Sequence, residues 1–215
     1  TGLKLARPDL NVLVVMGDGD SMSIGGNHLV HAMRRNIGLT AIVVNNAVYG
    51  LTGGQASPTT PVGGRTTTSR PGSFERPMNL EALAWASGAS FFARATVNHT
   101  AALVALIERA LAVPGFSMVE IVSNCHVLYG RMNDLGDAAQ MMQGMEPTTR
   151  RVNPVLLRRA AMPMRLGLPE APVDGATSPF IDDPRIQRGV IFERPLRDDY
   201  AQRYHAMVAE HQAMP

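Results

Sequence analysis

The sequence has a single cysteine, an almost balanced charge and no long apolar run. Cys125 is the one cysteine in 215 residues, which excludes an internal disulfide and fits a reducing compartment. Lys and Arg number 20 against 18 Asp and Glu, a formal charge of +2, so no nucleic-acid or membrane electrostatics are implied. No apolar run approaches the roughly 18 residues that span a bilayer. We therefore expect a cytoplasmic protein with no nucleic-acid or membrane partner.

The chain begins at Thr1, within a segment that predicts a helix ending near Pro8. No charged and then apolar leader precedes it. We expect a fragment that lacks its amino-terminal segment. Its 215 residues are sufficient for one substantial α/β core followed by a tail.

Two apolar runs rich in β-branched residues, at 12–16 and 40–44, end abruptly in Gly, Asp or Asn. Such runs are typical of buried parallel strands. Residues 21–38 between them predict one crossover helix, because their apolar residues recur at helical spacing. A right-handed βαβ unit places Asp18 and Asn46 side by side at the carboxyl edge of the sheet, where open α/β sheets bind ligands.

The residues at this edge have the chemistry of a diphosphate and magnesium site. Gly17 and Gly19 let the backbone turn tightly and approach a phosphate closely. Asp18 and Asn46 are hard oxygen donors, which Mg²⁺ shares with water and phosphates. A glycine-rich turn alone is more often a simple connection between a strand and a helix. Its occurrence together with Asn45 and Asn46, at βαβ spacing, favours a cofactor site.

Two longer words in the sequence carry a resemblance to a known family. They are GDGDSMSIGGNHLVHAMRRN, which starts at Gly17, and NNAVYGLTGGQASPTTP, which starts at Asn45. GDG followed by NN after one crossover resembles thiamine-diphosphate enzymes, and the longer words resemble the β subunit of 2-oxoacid:ferredoxin oxidoreductases. The resemblance is densest over residues 12–61 and continues more loosely to about Tyr129 and in the tail.

The resemblance implies the thiamine-diphosphate-binding fold, a mostly parallel sheet with helices on both faces. It implies that Mg²⁺ is held by Asp18, Asn46 and the carbonyl of Val48. The cofactor-binding residues that it implies are Gly17, Asp18, Gly19, Asp20, Asn46, Gly50, Leu51 and Thr52. His28, in the word IGGNH, is the one candidate to face the thiazolium. Its spacing from His31 also suits a transition metal, but a solvated or packed pair is the favoured interpretation.

Cys125 follows the last predicted strand of the sheet, at the same edge as Asp18 and Asn46. An isolated cysteine usually behaves as a small buried apolar residue. The resemblance implies instead that Cys125 is one ligand of a [4Fe-4S] cluster. Because such a cluster needs four thiolates, the other three are expected from the absent amino-terminal segment.

The activity implied by the resemblance is the oxidative decarboxylation of a 2-oxoacid, with the acyl group passed to coenzyme A and electrons passed to ferredoxin. The favoured substrate is 2-oxoglutarate, although Gly53 replaces the Lys of that branch, and TGGQ also occurs in pyruvate-type relatives. The α subunit is expected to supply the carboxylate that activates the cofactor, in an αβ heterodimer or a dimer of heterodimers. Two alternatives stay open: a non-redox thiamine-diphosphate decarboxylase or synthase, and a noncatalytic phosphate-binding or subunit-interaction domain.

Residues 55–77 are rich in Thr, Ser, Gly and Pro and have no hydrophobic period. Because loops of this length are usually functional or disordered and this one leaves from the cofactor edge, we predict an active-site or subunit-contact loop. Arg65, Arg70 and Arg76 are its candidates to meet a substrate carboxylate or the phosphates of coenzyme A.

The helix–strand alternation resumes after the loop. It predicts a helix over 79–88, a strand over 90–95, a helix from about 99 to 113 capped by Asn98 or Thr100, and a strand over 116–122. Residues 1–135 are thus expected to form the thiamine-diphosphate and magnesium domain. Residues 136–215 are expected to form an extended carboxyl-terminal arm and helix that contact another subunit.

Overall fold

The computed structural model describes residues 1–146, 149–151, 186–194 and 199–212. Its helices are α1 (Gly2–Ala6), α2 (Asp18–Met22), α3 (Gly26–Arg34), α4 (Leu80–Ser87), α5 (Thr100–Ala112), α6 (Ala138–Met145) and α7 (Tyr200–Gln212), with a π-helical turn at His126–Gly130. Its strands are β1 (Val12–Gly17), β2 (Leu39–Asn45), β3 (Val48–Tyr49), β4 (Gln55–Ala56), β5 (Phe91–Thr96), β6 (Ser117–Val122), β7 (Thr149–Arg151) and β8 (Ile186–Glu193).

Six of the described strands form one sheet in the order β1-β2-β6-β5-β8-β7, and β3 and β4 form a separate two-stranded sheet. Strands β1, β2, β6 and β5 are parallel, whereas β8 runs antiparallel to β5. The register pairs Gly17 with Val44 and Asn45 with Val122. The carboxyl ends of β1, β2 and β6 therefore meet at one edge. The predicted α/β class and mostly parallel sheet are confirmed.

Helices cover both faces of the sheet, as predicted. On one face, residues of α3 and α4 pack with Phe92 and Met118 in one apolar cluster. On the other face, Leu103 and Leu106 of α5 pack against Phe91 and other strand residues. Both phenylalanines are fully buried, and burying such a side chain contributes about 1.5–3 kcal/mol. The two clusters hold the strands that carry the candidate site.

The single crossover helix predicted for residues 21–38 is wrong. Helix α2 begins already at Asp18, and the chain turns before α3 begins at Gly26. In this turn the backbone N–H of Gly25 donates to the carbonyl of Asp20 at 2.9 Å, and a Cβ on Gly25 would overlap that same oxygen. Close backbone approach of this kind requires glycine. The crossover therefore consists of two helices, α2 and α3, rather than one.

Strand β1 was expected to be buried on both faces, and the structure corrects this expectation. Leu13, Val14 and Val15 are 46%, 36% and 64% exposed, whereas β2 is buried along most of its length. The cause is the strand order, because β1 lies at an end of the sheet and pairs with β2 alone among the described strands.

The predicted end of α4 at Gly88 is confirmed, whereas the predicted caps of α5 are wrong. Asn79 accepts the N–H of Ala82 at the start of α4, and Gly88 ends that helix with a left-handed φ of 91°, as expected for a glycine in this position. Neither Asn98 nor Thr100 caps α5. The residue before α5 is His99, whose side chain makes no capping bond; its Nδ1 lies 2.7 Å from Thr96 Oγ1.

Part of the predicted carboxyl-terminal arm belongs to the fold itself. Strand β8 pairs with β5 in the main sheet, and the predicted closing helix is confirmed as α7. Asp199 joins α7 to the sheet, since its Oδ1 accepts the N–H groups of Gly38 at 3.1 Å and Ala201 at 2.8 Å. Residues 152–185, predicted to be extended, lie outside the described residues. No helix in the described part of the chain is long and apolar enough to cross a membrane.

Candidate cofactor site

The βαβ unit places the predicted site residues at one edge of the sheet. Asp18 follows β1 directly, Asn46 follows β2, and Cys125 follows β6 by three residues. The carboxylate Oδ1 of Asp18 lies 3.5 Å from the backbone nitrogen of Asn46. A Cβ on Gly50 would lie 3.6 Å from Asn46 Nδ2 and 3.7 Å from Cys125 Sγ. The structure therefore brings Asp18, Asn46, Gly50 and Cys125 together.

Asp18 is buried, with 2% of its surface exposed, and its two carboxylate oxygens have different surroundings. Oδ2 accepts a hydrogen bond from Ser57 Oγ at 2.6 Å and another from Thr59 Oγ1. Among the described residues, the one contact of Oδ1 is the long one to the N–H of Asn46. Two hydroxyl donors thus satisfy one oxygen, while the lone pairs of the other stay available to a cation.

The segment after β2 is fixed by side chains that bind the backbone. Asn45 Oδ1 accepts the N–H of Ala47 at 3.1 Å, and Asn46 Oδ1 accepts that of Val48 at 3.2 Å. Ala47 has a positive φ of 64°, which is uncommon for a residue with a side chain, and its carbonyl accepts from Thr60 Oγ1 at 2.7 Å. These bonds hold the amide oxygen of Asn46 beside the Val48 backbone.

Asp18, Asn46 and Val48 offer a carboxylate, an amide oxygen and a backbone carbonyl, which are oxygen ligands of the kind Mg²⁺ prefers. No group of three or more His, Cys, Asp or Glu residues capable of holding a metal occurs among the described residues. A single carboxylate is compatible with Mg²⁺, because this ion commonly leaves positions to water and to the phosphates of a ligand. The donor set and the available Oδ1 of Asp18 fit a magnesium diphosphate.

Gly19 allows a close contact that a larger residue would prevent. Tyr49 Oη donates to the carbonyl of Gly19 at 3.2 Å, and a Cβ on Gly19 would overlap the tyrosine ring. At the preceding turn, the N–H of Gly17 donates to Asp20 Oδ2 at 3.2 Å. The described contact of Asp20 is therefore with its own backbone turn, and Tyr49 is a wall of the site that the sequence did not single out.

The turn from Gly50 to Gln55 forms the outer side of the site. Gly54 N–H donates to the carbonyl of Tyr49 at 2.8 Å, and Thr52 Oγ1 donates to Gln55 Oε1 at 2.7 Å. Leu51 is fully exposed at the tip. These residues are placed where a ligand at the sheet edge could reach their backbone groups.

The loop at 55–77 reaches the site through hydroxyl groups rather than through arginines. Ser57 and Thr59 contact Asp18. Arg65 pairs with Asp134, and Arg70 and Arg76 are exposed. The structure thus gives Arg65 a partner within the chain and brings none of the three to Asp18.

Neither histidine of α3 makes a hydrogen bond to this centre in the described part of the chain. His28 is exposed, whereas His31 is half-buried, and its Nδ1 is buried without a hydrogen-bond partner. His28 stays a candidate on sequence grounds alone.

A buried charged network extends from the site into the sheet, and the sequence reasoning missed it. Asn45 Nδ2 donates to Glu120 Oε1 at 2.7 Å. Arg94 donates to Glu120 through Nε at 2.7 Å and to Glu81 through Nη1 at 2.9 Å. The side chains of Arg94 and Glu120 are 11% and 5% exposed. The signal in the sequence is one charged residue in each of two apolar strands, Arg94 in β5 and Glu120 in β6.

Comparison with known proteins identifies the family. The family model for the C-terminal TPP binding domain of thiamine pyrophosphate enzymes matches residues 1–121. The chain belongs to this family. A thiamine-pyrophosphate-binding domain is what the geometry of the carboxyl edge fits, since its buried carboxylate and its glycine turns lie together there.

Relatives of this TPP-binding domain include two archaeal proteins named 2-oxoglutarate synthase subunit KorB. The one from Methanocaldococcus jannaschii is 46% identical over 153 residues, which are 71% of this chain and 57% of the relative. The one from Methanothermobacter marburgensis is 49% identical over 146 residues, which are 68% of this chain and 51% of the relative. The chain therefore spans about half the length of these relatives.

A solved structure shows the same fold. It is the 2-oxoglutarate:ferredoxin oxidoreductase from Magnetococcus marinus with 2-oxoglutarate, coenzyme A and succinyl-CoA bound. The likeness has a TM-score of 0.77 at 24% sequence identity, and it covers 100% of this chain and 66% of that one. The TPP-binding fold predicted from the sequence is confirmed.

Proposed function

We propose that this chain is part of the β subunit of a 2-oxoacid:ferredoxin oxidoreductase of the 2-oxoglutarate type. The observation that carries the proposal is the buried carboxylate of Asp18 beside Asn46, at the sheet edge of a TPP-binding domain. The KorB relatives named above support the choice of enzyme and of substrate. Residues 1–135 are the cofactor domain in this proposal, completed by β8 and α7, and the rest of 136–215 is a subunit-contact arm.

In this proposal Mg²⁺ is held by Asp18, by the amide oxygen of Asn46 and by the carbonyl of Val48. The amide oxygen of Asn46 accepts one backbone N–H, which leaves it a second lone pair. The residues that line the diphosphate are Gly17, Gly19, Asp20, Gly50, Leu51 and Thr52. Tyr49 stabilises the position of Gly19, because its hydroxyl donates to the Gly19 carbonyl.

When bound, thiamine diphosphate supplies the nucleophilic carbon and the electron sink for decarboxylation of the 2-oxoacid. The residues of this chain bind and orient the diphosphate end and neutralise its charge through the cation. The carboxylate that activates the cofactor comes from the α subunit, in an αβ heterodimer or a dimer of heterodimers in the cytoplasm. Coenzyme A receives the acyl group and ferredoxin receives the electrons. His28 is the one side chain of this chain proposed to face the thiazolium.

Cys125 is proposed as one ligand of a [4Fe-4S] cluster. The thiol is free and half-buried beside the Gly50 turn, so it lies close to the proposed cofactor. The 215 residues contain one cysteine, whereas the cluster needs four thiolates. These residues alone do not fit the cluster, and the other three ligands must come from outside them.

The test is anaerobic co-expression of the complete β chain with its α partner, followed by viologen-linked reduction with 2-oxoglutarate, pyruvate or a branched oxoacid plus coenzyme A. We expect 2-oxoglutarate to support reduction. Asp18→Ala should lower the rate at least about 100-fold, because loss of a metal ligand costs more than the 10–100-fold typical of outer-shell partners. Cys125→Ser should also lower it. Asp9→Ala is the matched control, since Asp9 is an exposed carboxylate that pairs only with Arg7 in the described structure.

Other outcomes point to the alternative functions. Bound thiamine diphosphate without reduction by any oxoacid would favour a non-redox decarboxylase or synthase. Absence of bound thiamine diphosphate and Mg²⁺ in the assembled protein would favour a noncatalytic domain. Reduction by pyruvate alone would keep the enzyme class and overturn the substrate.

A further inference from the structure

The carboxylate of Asp18 is held by a hydroxyl that is itself held from the interior of the sheet. The single proton of Thr59 Oγ1 is shared between two acceptors, Asp18 Oδ2 and, at 3.1 Å, Asn45 Oδ1. Thr59 is 7% exposed, so water cannot readily replace either partner. Together with Ser57 Oγ, which donates to the same carboxylate oxygen at 2.6 Å, this hydroxyl leaves Oδ1 of Asp18 available.

The amide of Asn45 can adopt only one orientation here. Its Nδ2 donates to the carboxylate of Glu120 at 2.7 Å, and its Oδ1 accepts the N–H of Ala47 at 3.1 Å. A flipped amide would set its oxygen against a carboxylate and its NH₂ group against a backbone donor, which leaves both ends without a complementary partner. Asn45 Oδ1 is therefore fixed beside Thr59.

Glu120 is fixed in turn by Arg94. The two residues are registered neighbours on β6 and β5, and Arg94 Nε donates to Glu120 Oε2 at 2.7 Å. Glu120 thus uses one oxygen for Arg94 and the other for Asn45. A buried ion pair by itself is weak evidence of a contribution to stability. This pair has a further consequence, because the second carboxylate oxygen of Glu120 orients Asn45 at the cofactor edge.

We propose that Glu120, Asn45 and Thr59 are positioning residues for the metal-binding carboxylate of Asp18. They hold Oδ2 through the Thr59 hydroxyl, so that Oδ1 is presented to the cation. The inference rests on the proposed function, since it concerns the same Mg²⁺ site. It adds a relay that begins at Arg94 in the middle of the sheet and acts on the metal through three side chains.

The decisive comparison is between Thr59→Val and Thr59→Ser. Valine keeps the shape of threonine without the hydroxyl, whereas serine keeps the hydroxyl. In the metal-depleted αβ complex with thiamine diphosphate present, Thr59→Val should raise the Kd for Mg²⁺ by about 10–100-fold, the range typical for outer-shell partners. Thr59→Ser should stay within about threefold of the wild type, since it retains the donor. The measurement is a calorimetric titration with MgCl₂, independent of turnover.

Thr66→Val is the matched control. Thr66 is fully buried in the same loop, and its hydroxyl oxygen accepts the N–H of Ser69 at 3.0 Å. It should lose stability without a change in the Kd for Mg²⁺. Thermal unfolding of the metal-free complexes separates the two effects, because a merely structural role of Thr59 would lower the melting temperature and leave the Kd unchanged.

Glu120→Gln tests the far end of the relay. A neutral amide cannot accept from both Arg94 and Asn45 with separate oxygens, so the Kd for Mg²⁺ should rise. Because Glu120 acts through Thr59, the double variant Glu120→Gln/Thr59→Val should bind no more weakly than Thr59→Val alone. Additive effects, an unchanged Kd in Thr59→Val, or an equal rise in Thr66→Val would each overturn the relay. If the wild-type complex bound no Mg²⁺ with thiamine diphosphate, the proposed function itself would be wrong.

Discussion

The two ends of the parallel strands both bury polar side chains, but these side chains bind different kinds of partner. At the amino edge they bind mainly backbone: Lys4 Nζ donates to the carbonyls of Pro8 and Leu10, each at 2.8 Å. Asn36 Oδ1 likewise accepts the N–H of Phe116 and the hydroxyl of Ser90, both at 2.8 Å. Every one of these bonds ties one chain segment to another.

At the carboxyl edge some side chains also bind backbone, but the buried carboxylates bind other side chains. Asp18 is bound by the hydroxyls of Ser57 and Thr59, and Asn45 is bound by Glu120. A side chain that binds backbone groups has its hydrogen-bonding groups occupied by the fold. The Oδ1 oxygen of Asp18, with one long contact, still has lone pairs available for a ligand. Buried polar residues at a sheet end therefore indicate a ligand site when their partners leave an acceptor free, and a structural tie when they do not.

Among the variants that would test this comparison, Asn36→Ala at the amino edge should cause the largest loss of stability. The substitution leaves the N–H of Phe116 and the hydroxyl of Ser90 without their acceptor, which should cost about 2–4 kcal/mol for two buried groups. Asn36 also has a positive φ of 51°, a conformation that asparagine adopts more readily than alanine. Denaturant unfolding should show this loss, and the Kd for Mg²⁺ should be unchanged.

Asn27→Ala is the control for that variant, because Asn27 is exposed on α3 and exposed substitutions usually change stability by less than about 0.5 kcal/mol. A fall in Mg²⁺ affinity of Asn36→Ala would break the distinction between the two edges, since the amino edge would then influence the cofactor site.

A smaller loss is expected from Gly19→Ala at the carboxyl edge. The added methyl group would overlap the Tyr49 ring, and displacing a packed ring costs about 1–3 kcal/mol. Unlike the loss at Asn36, this one should be accompanied by weaker binding of Mg²⁺ and thiamine diphosphate, because Tyr49 supports the loop that carries Asn46. Calorimetric titration and thermal unfolding of the same sample measure both.

Gly144→Ala should instead increase the stability of the fold. A Cβ at Gly144, inside helix α6, would meet nothing within 4 Å, and alanine is favoured over glycine in a helix by about 0.5–1 kcal/mol. If both alanine variants were stabilised, the close approach of Tyr49 to Gly19 would be contradicted.

The sequence was sufficient to predict which residues meet at the cofactor edge. Strand period and the handedness of the crossover are local or general properties, so Asp18, Asn46 and Cys125 could be assigned to one edge without knowing any contact. The resemblance then gave these positions their chemistry. The same local signals predicted α4 as a helix over 79–88 that ends in Gly88, within one residue of its observed bounds at Leu80–Ser87.

What the sequence could not predict depends on contacts between distant segments. Ser57 and Thr59 are 39 and 41 residues from Asp18, and composition alone does not say which hydroxyl of a Thr-rich loop reaches a carboxylate. The break before α3 depends on how closely Gly25 approaches Asp20. The exposure of β1 depends on strand order, and a single apolar run contains no information on whether its strand lies in the middle or at an end of a sheet.

The smallest effect concerns Glu81, the second carboxylate that Arg94 binds, and it tests whether burial opposes the charge of this residue. Burial raises the pKa of Glu81, because desolvation outweighs the attraction of Arg94, and Glu120 adds repulsion. A carboxyl whose pKa is higher in the folded than in the unfolded protein stabilises the fold below its unfolded pKa, and this contribution is lost as pH rises through the folded pKa.

The stability of the wild type relative to Glu81→Gln should therefore be greatest near the unfolded pKa of about 4.5 and should decrease as pH rises towards neutrality. Unfolding free energies of both proteins across this pH range measure the difference, and Glu75→Gln, at an exposed loop position, should show no such trend. An increase with pH would mean that Arg94 stabilises ionised Glu81 more than burial opposes it. Glu81 and Arg94 would then form a stabilising ion pair, with a structural role like that of the buried polar residues at the amino edge. Glu81 would not be a carboxylate whose charge is opposed by burial.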